Sequence, residues 1–126
     1  MPHRPITLLV VDDHPTVRRG LRDRFALETD LLVLGEAADG NEALHKLDQL
    51  DPDVVILDVE MPAMDGLSVA AKLRDEGRRT RSVVLTVHDD NTTRARARAA
   101  NVDRFVSKRN GANALLAAIR QAGQAA

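Results

Sequence analysis

The sequence predicts an α/β protein: a doubly wound sheet of five parallel strands in the order 2-1-3-4-5, with five helices on its two faces. Five short apolar runs alternate with helix-favouring stretches along the 126 residues, which is typical of parallel strands joined by helical crossovers. The run Val54–Leu57 is apolar throughout, as expected of a central strand buried on both faces. Right-handed crossovers then place the first and third strands side by side at the switch point of the sheet.

The first half of the chain predicts three strands and two helices. A helix opens at Pro15, which suits a first turn because proline has no N–H to leave unpaired. Asp39, with Glu42 three residues later, resembles the capping box of a second helix, which ends before Pro52. The strands are the runs Ile6–Val11, Leu31–Ala37 and Val54–Leu57; the apolar helix stripes are Val17, Leu21 and Phe25, then Ala43, Leu44, Leu47 and Leu50.

The second half predicts three helices and two strands. Gly66 begins the third helix, after which Ser82–Val87 forms the fourth strand. Asn91–Ala100 is helical by propensity, but its inner face carries only alanine, so this helix should bury little apolar surface and be comparatively mobile. Val102–Ser107 is the fifth strand. The last helix has the apolar stripe Ala112, Leu115, Leu116 and Ile119.

The composition limits the classes of function. The chain is long enough for one domain, residues 1–126, with an aliphatic core, because only Phe25 and Phe105 are aromatic. A net charge of −1 gives no field that would attract nucleic acid or a membrane surface. The lack of cysteine excludes disulfides and thiolate metal sites. The first apolar run is too short for a signal peptide or membrane span, so we expect a cytoplasmic protein.

Polar residues stand where the predicted strands end, and parallel strands all end at one edge of the sheet. Asp58 directly follows the buried third strand, where a carboxylate needs partners, a metal ion or a chemical role. Sheets of this type bind ligands beside the carboxyl ends of their strands, near the switch point. We therefore expect five side chains to converge there: Asp12, Asp13, Asp58, Thr86 and Lys108.

The expected cluster suits phosphoryl chemistry. Three carboxylates in one pocket repel each other unless a cation lies between them. Mg²⁺ or another divalent cation, bound by these oxygen ligands, would neutralise their charge. Lys108 offers a mobile positive charge for a phosphoryl group, and Thr86 offers a hydroxyl donor. The sequence has no cysteine and no Ser-His-Asp order. Asp58 can itself act as the nucleophile and form an aspartyl phosphate.

Further motifs surround these residues, and together they are highly specific. They are Asp12-Asp13, Leu57-Asp58, Met61-Pro62, Asp65-Gly66, Leu85-Thr86, and Phe105 three residues before Lys108. Over nearly its whole length the chain closely resembles the receiver domain of two-component response regulators. The resemblance implies a flavodoxin-like fold and a signalling switch rather than a turnover enzyme.

The resemblance also implies roles for single residues. A cognate histidine kinase would phosphorylate Asp58, and Mg²⁺ would be bound by Asp13, Asp58 and the backbone carbonyl of Glu60, with Asp12 helping through water. As the family's switch residues, Thr86 would turn toward the phosphoryl group and Phe105 would swing inward behind it.

A finer resemblance is to the NarL/LuxR-type receivers. It is carried by Asp12-Asp13-His14-Pro15, Gly35-Glu36-Ala37 and Asp39-Gly40, among other stretches. Full-length members carry a C-terminal helix-turn-helix that binds DNA, and none follows Gln124. We expect a truncated receiver, which would reach DNA only through that missing domain and pair with a second copy on phosphorylation. A stand-alone receiver or adaptor is the alternative.

Other classes of function fit less well. Aspartyl-phosphate hydrolases of the haloacid-dehalogenase type carry their nucleophile after the first strand in an Asp-x-Asp motif, whereas Asp58 follows the third strand. A pseudo-receiver, which binds without phosphorylation, is disfavoured because all five site residues are present. No Gly-x-Gly-x-x-Gly follows a predicted strand, so a dinucleotide oxidoreductase lacks support.

Individual residues carry further expectations. His14 should be a capping or surface histidine rather than a ligand, because Mg²⁺ prefers oxygen to imidazole. Phe105 should be biased inward, because it has no hydroxyl to favour an outward position. Arg109 replaces the proline that many receivers have after the lysine, so the peptide bond before it should be trans. Glu60 and His88 flank the expected phosphoryl position, either as modulators of dephosphorylation or as solvated loop residues.

Overall fold

The computed structural model describes residues 4–125 and confirms the predicted sheet, five strands that pair in parallel in the order β2-β1-β3-β4-β5. The strands are β1 (Ile6–Val11), β2 (Leu31–Ala37), β3 (Val54–Leu57), β4 (Arg81–Thr86) and β5 (Arg104–Ser107). The helices are α1 (Pro15–Phe25), α2 (Gly40–Leu50), α3 (Gly66–Asp75), α4 (Asn91–Ala99) and α5 (Gly111–Ala125), and a 3₁₀ turn (Lys108–Asn110) precedes the last.

Two predicted strand boundaries differ from the observed ones. β4 lies one residue earlier than predicted, and β5 starts two residues later. Asn101 has a φ of 56°, in the left-handed region, which ends α4. Asp103 then bonds back to β4: its carboxylate accepts the backbone N–H of Ser82 at 2.8 Å. The chain between α4 and β5 is therefore a closed turn rather than the beginning of a strand.

The sheet separates two apolar layers. Helices α2, α3 and α4 cover one face, where Leu9, Val55 and Leu57 belong to the buried cluster. Helices α1 and α5 cover the other face, where Phe25 is the largest buried side chain. β3 is fully buried, because the sheet extends on both sides of it and helices cover both faces. This burial makes the carboxylate that follows β3 unusual.

Three helices begin with an aspartate that caps them. The carboxylates of Asp39, Asp65 and Asp90 accept backbone N–H groups of the first turns of α2, α3 and α4, at 2.8, 2.8 and 2.7 Å. Such a cap stabilises a helix by about 1 kcal/mol. The cap of α2 was predicted from the sequence. Helix α1 differs, because His14 occupies its N-cap position without a side-chain capping bond.

Asp53 ties the chain together at the opposite edge of the sheet from the strand ends. One carboxylate oxygen accepts the backbone N–H and the hydroxyl of Thr7, at 2.9 and 3.0 Å. The other accepts Arg4 at 3.0 Å and Arg79 at 2.8 Å. The Thr7 hydroxyl also accepts the Asp53 N–H at 2.9 Å. This network, in which the Asp53 carboxylate is buried and the two arginines reach solvent, joins the beginnings of β1, β3 and β4.

Helix α4 packs thinly, as its sequence predicts. Its buried residues are Thr93 and Ala97, with Ala100 buried just beyond its end. Polar contacts supplement this packing, since Arg96 reaches the carboxylate of Asp65 at 2.7 Å. Within residues 4–125, no helix has the length and apolarity needed to cross a membrane.

Candidate functional site

Asp12, Asp13 and Asp58 meet at the carboxyl edge of the sheet. Their carboxylate oxygens, together with a ring nitrogen of His14, lie within 4.8 Å of one another. Lys108 joins them from the end of β5, with its ammonium 3.4 Å from the Asp12 carboxylate. The structure therefore brings together four of the five predicted side chains.

Thr86 is the fifth, and it lies deeper than the others. Its side chain is completely buried at the end of β4, where its hydroxyl oxygen accepts the backbone N–H of His88 at 3.0 Å. It does not line the cavity beside the carboxylates. A role for Thr86 at a phosphoryl group therefore requires the hydroxyl to turn.

Asp13 and Asp58 line an open cavity of about 820 Å³. One wall is acidic, formed by Asp13 and Asp58, and Lys108 lies beside it. The remaining walls come from the β3–α3 loop and from the start of α4 with the loop before it. Their residues are Val59, Glu60, Met61, Pro62, Asp65, Val87, His88, Asp90, Thr93 and Arg96, and the start of α1 adds His14 and Val17.

Asp58 is held in place by its backbone and is only 7% exposed. Its N–H donates to the carbonyl of Val11 at 3.0 Å, which continues the β1–β3 pairing past the strand end. Burial, and next the negative charge of Asp12, raise the pKa of the Asp58 carboxyl to about 6, although Lys108 opposes the shift. The site thus holds a carboxylate whose charge is costly until a cation approaches.

The carboxylates meet the requirements of a hard divalent cation. Oδ1 of Asp13 is buried and accepts no hydrogen bond within residues 4–125, although Nδ1 of His14 lies 2.9 Å away. A buried oxygen left in this way is costly unless it has a partner, and a cation beside Asp12 and Asp58 would supply one. The residues present therefore fit Mg²⁺ or a similar ion.

Removing the Asp58 charge should stabilise the metal-free protein at neutral pH. Between about pH 4 and 6 the folded chain keeps a proton on Asp58 that the unfolded chain has lost, so stability falls as pH rises through this window. Asp58→Asn should therefore raise the free energy of unfolding by about 2–3 kcal/mol at pH 7.5. The gain should vanish below pH 4.

Urea unfolding with a chelator present, followed by circular dichroism, measures this difference. The control is Asp75→Asn, which removes an exposed carboxylate from the end of α3 and should change stability little at either pH. Saturating Mg²⁺ should reverse the order of parent and Asp58→Asn. A variant less stable than the parent at pH 7.5 without metal would contradict the burial argument.

Glu60 and His88 meet across the mouth of the cavity. Nε2 of His88 lies 3.1 Å from a carboxylate oxygen of Glu60, so the β3–α3 and β4–α4 loops touch at this point. Both line the cavity, and beside them Val87 is 51% exposed. The sequence left open whether they are modulators or solvated residues; their contact places both at the entrance to Asp58.

Phe105 is half-buried on β5 and packs against the α2–α4 layer. The guanidinium of Arg94 lies over its ring, 4.7 Å from the centroid. This cation–π contact contributes roughly 0.5–1 kcal/mol. The inward bias of the Phe105 ring stays a prediction. It assumed that no polar group holds the ring in an outward position, whereas the Arg94 guanidinium does contact the ring.

As predicted, the peptide bond before Arg109 is trans.

The sequence did not predict two features of the site. His14 places its ring nitrogen among the carboxylates, and the signal was its position directly after Asp12-Asp13. Arg96 lines the cavity and pairs with Asp65. From the sequence alone, Arg94, Arg96 and Arg98 are most simply interpreted as a solvated helix face, because a helix pattern does not show which loop the helix will approach.

Comparisons with known proteins agree with this geometry. The family model for the "Response regulator receiver domain" matches residues 8–120. The nitrate/nitrite response regulator protein NarL of Escherichia coli K12 is 37% identical over 120 residues, which cover 94% of this chain and 55% of that protein. The chain thus spans about half the length of the curated relatives it matches.

Solved structures are similar over nearly the whole chain. The receiver domain of the putative response regulator NarL from Mycobacterium tuberculosis has a TM-score of 0.86 and 32% identity, covering 94% of this chain and 98% of that one. A LuxR-family DNA-binding response regulator from Staphylococcus aureus has a TM-score of 0.89 and 26% identity, with the same coverage.

Proposed function

Because the chain belongs to the response regulator receiver domain family, of the NarL/LuxR type, we propose that it accepts a phosphoryl group on Asp58 and works as a phosphorylation switch. One observation carries the proposal. A nearly buried carboxylate stands at the carboxyl edge of the sheet, beside two further carboxylates and a lysine, and it opens into a cavity.

The reaction is an in-line transfer to a carboxylate oxygen. An oxygen of Asp58 forms a bond to phosphorus while the P–N bond of a phosphohistidine on a partner kinase breaks. The imidazole leaves with the bonding electron pair and takes up a proton from solvent. Asp58 needs no general base, because the ionised carboxylate is already the nucleophile.

The other site residues hold and neutralise charge. Asp13, Asp58 and the backbone carbonyl of Glu60 would bind Mg²⁺ or another divalent cation, with Asp12 acting through water. The ion, when bound, neutralises negative charge on the carboxylates and on the transferred group. Lys108 supplies a second positive charge beside Asp12, 3.4 Å away.

The output is a change of surface around α4 and β5. Phosphorylation adds nearly two negative charges at Asp58. The Thr86 hydroxyl would leave the His88 N–H and turn toward them, and the ring of Phe105 would move inward behind it. Thin packing of α4 lets this helix respond at little cost in free energy.

The partners follow from the family. We expect a cognate histidine kinase as phosphoryl donor, in the cytoplasm, and a second copy of the chain on phosphorylation. DNA would be contacted only through an output domain that these residues do not form. NarL of E. coli is a nitrate/nitrite response regulator.

Intact-mass spectrometry tests the proposal. Incubation with acetyl phosphate and Mg²⁺ should add one phosphoryl group to the parent, and Asp58→Asn should abolish the addition. Asp65→Asn is the matched control, since Asp65 lines the same cavity and asparagine still caps a helix; this variant should be labelled like the parent. An adduct that persists in Asp58→Asn would refute the assignment.

A further inference from the structure

His14 has a position that neither a capping nor a plain surface role explains. It stands at the N-cap of α1, yet its side chain accepts no N–H from that helix. Its ring nitrogen Nδ1 lies 3.1 Å from Oδ1 of Asp12 and 2.9 Å from Oδ1 of Asp13. The ring is therefore directed at the carboxylates, although about two-thirds of its side chain is exposed.

The backbone around His14 keeps the ring at this position. The N–H of His14 donates to Oδ1 of Asp12 at 2.9 Å, which closes a tight turn between the two residues. Pro15 follows at the first position of α1, where its ring restricts the backbone. The imidazole can therefore turn about its own bonds while its Cα stays fixed next to the cluster.

The donor atoms are spaced as a metal ion would need them. Atoms bound to one ion at 2.0–2.2 Å lie roughly 3–4.4 Å apart. The four donors of Asp12, Asp13, His14 and Asp58 lie within 4.8 Å of one another, so only a small contraction is required. Oδ1 of Asp13, which lies 2.9 Å from the imidazole nitrogen, is also a buried oxygen that accepts no hydrogen bond from the described residues 4–125.

We propose that His14 is a ligand of this centre and makes it select cations that accept imidazole, such as Co²⁺ and Zn²⁺, over Mg²⁺. Imidazole binds those ions well, whereas Mg²⁺ prefers oxygen ligands and keeps its waters. For Mg²⁺ the ring only occupies space beside Asp12 and Asp13 and must move away. The His14 side chain therefore strengthens the binding of Co²⁺ and Zn²⁺ and weakens the binding of Mg²⁺.

The proposal rests on the carboxylates of the proposed function and adds a nitrogen donor to them. The competing explanation is that His14 is only a hydrogen-bond partner of Asp12. These explanations differ in the effect of removing the ring. A hydrogen-bond partner would alter the binding of all divalent ions by a similar factor, whereas a ligand affects only ions that accept nitrogen.

Calorimetric titration of the metal-free protein with Co²⁺ and with Mg²⁺ separates them. His14→Asn should weaken Co²⁺ binding about tenfold or more, and leave Mg²⁺ binding unchanged or tighter. Asparagine is a good N-cap residue and offers a hard oxygen in place of nitrogen, so the fold and the Mg²⁺ site are preserved. His45→Asn removes an exposed histidine on α2 and is the control for adventitious metal binding to surface imidazole. This variant should change the affinity for neither Co²⁺ nor Mg²⁺.

The visible absorption of bound Co²⁺ gives a second readout, because its bands change when a nitrogen ligand is replaced by oxygen. Equal changes for both ions in His14→Asn, or no change for either ion, would overturn the proposal. Loss of Co²⁺ binding in His45→Asn would overturn it as well.

Phosphoryl labelling keeps this proposal separate from the proposed function. If the parent is labelled on Asp58 with Mg²⁺ while His14→Asn shows no selective loss of Co²⁺, the inference about His14 fails and the phosphorylation switch stands. If Co²⁺ binding depends on His14 but no label appears with Mg²⁺, the metal inference stands and the switch fails.

Discussion

Gly66→Ala should destabilise the protein by about 3 kcal/mol or more and disrupt the candidate metal site. A methyl group at position 66 would lie 2.0 Å from the backbone carbonyl oxygen of Asp58 and 3.2 Å from Cβ of Leu57. The N–H of Gly66 donates to the carbonyl of Val59 at 3.1 Å, which closes the β3–α3 loop. Because the obstructing atom is backbone, the strand end or the helix start must move.

Urea unfolding and Mg²⁺ titration of Gly66→Ala measure both effects. The matched control is Gly20→Ala, the same chemical change inside α1, where the added methyl group has no neighbour within 4 Å. That variant should gain about 0.5–1 kcal/mol, because alanine favours a helix over glycine. A Gly66→Ala protein with parental stability and Mg²⁺ affinity would show that the loop adjusts without cost.

Asp53→Asn should lower the free energy of unfolding by about 2–3 kcal/mol. This is the second large effect on stability that we expect. The two Asp53 oxygens accept four hydrogen bonds, from two arginines on one side and from Thr7 on the other. Asparagine has one oxygen and an NH₂ group. Either the two arginines or the two Thr7 groups would therefore face the NH₂ group, which is itself a donor. Asp53 is only 5% exposed, and water cannot readily replace the lost acceptor.

Asp51→Asn is the matched control for this change. Asp51 pairs with the same Arg79, but it is exposed and has a φ of 45°, which asparagine also tolerates. The Asp51→Asn variant should lose less than about 0.5 kcal/mol of its free energy of unfolding. Equal losses in Asp51→Asn and Asp53→Asn in urea unfolding would contradict the importance of burial.

The pH dependence of Asp53 has the opposite sign to that of Asp58. Burial alone would raise the pKa of Asp53, but the hydrogen bonds from Arg79 and Thr7 outweigh it and hold the pKa below its ordinary value. Its contribution is therefore complete above about pH 4 and is lost as pH falls further. Acid should therefore weaken the network at Asp53, whereas protonation of the Asp58 carboxylate removes a buried charge and stabilises the fold.

The sequence predicted the fold and most of the site because both depend on strand ends. An apolar run such as Val54–Leu57 defines a strand, and parallel pairing then places Asp12, Asp58 and Lys108 at one edge. The same pattern does not define turns. The later start of β5 depends on a hydrogen bond between Asp103 and Ser82, which periodicity cannot show.

Side-chain directions were the other limit of the sequence. Thr86 was placed correctly at the end of β4, but its hydroxyl bonds to the backbone of its own loop. His14 was expected to be a capping or surface histidine, and its ring is directed at the carboxylates. Arg94 was expected on a solvated face and covers Phe105. Each outcome depends on rotamers and on loops from distant parts of the chain.

The thin packing of α4 has a consequence for sequence divergence. Only Thr93 and Ala97 of this helix enter the interior, while Arg94 and Arg96 contact Phe105 and Asp65. Substitutions at its remaining exposed positions therefore leave the sheet and the cluster at Asp58 in place. A receiver built in this way can acquire a different partner by changing α4 alone. The chemistry proposed for Asp58 and the outer surface of α4 can therefore diversify separately.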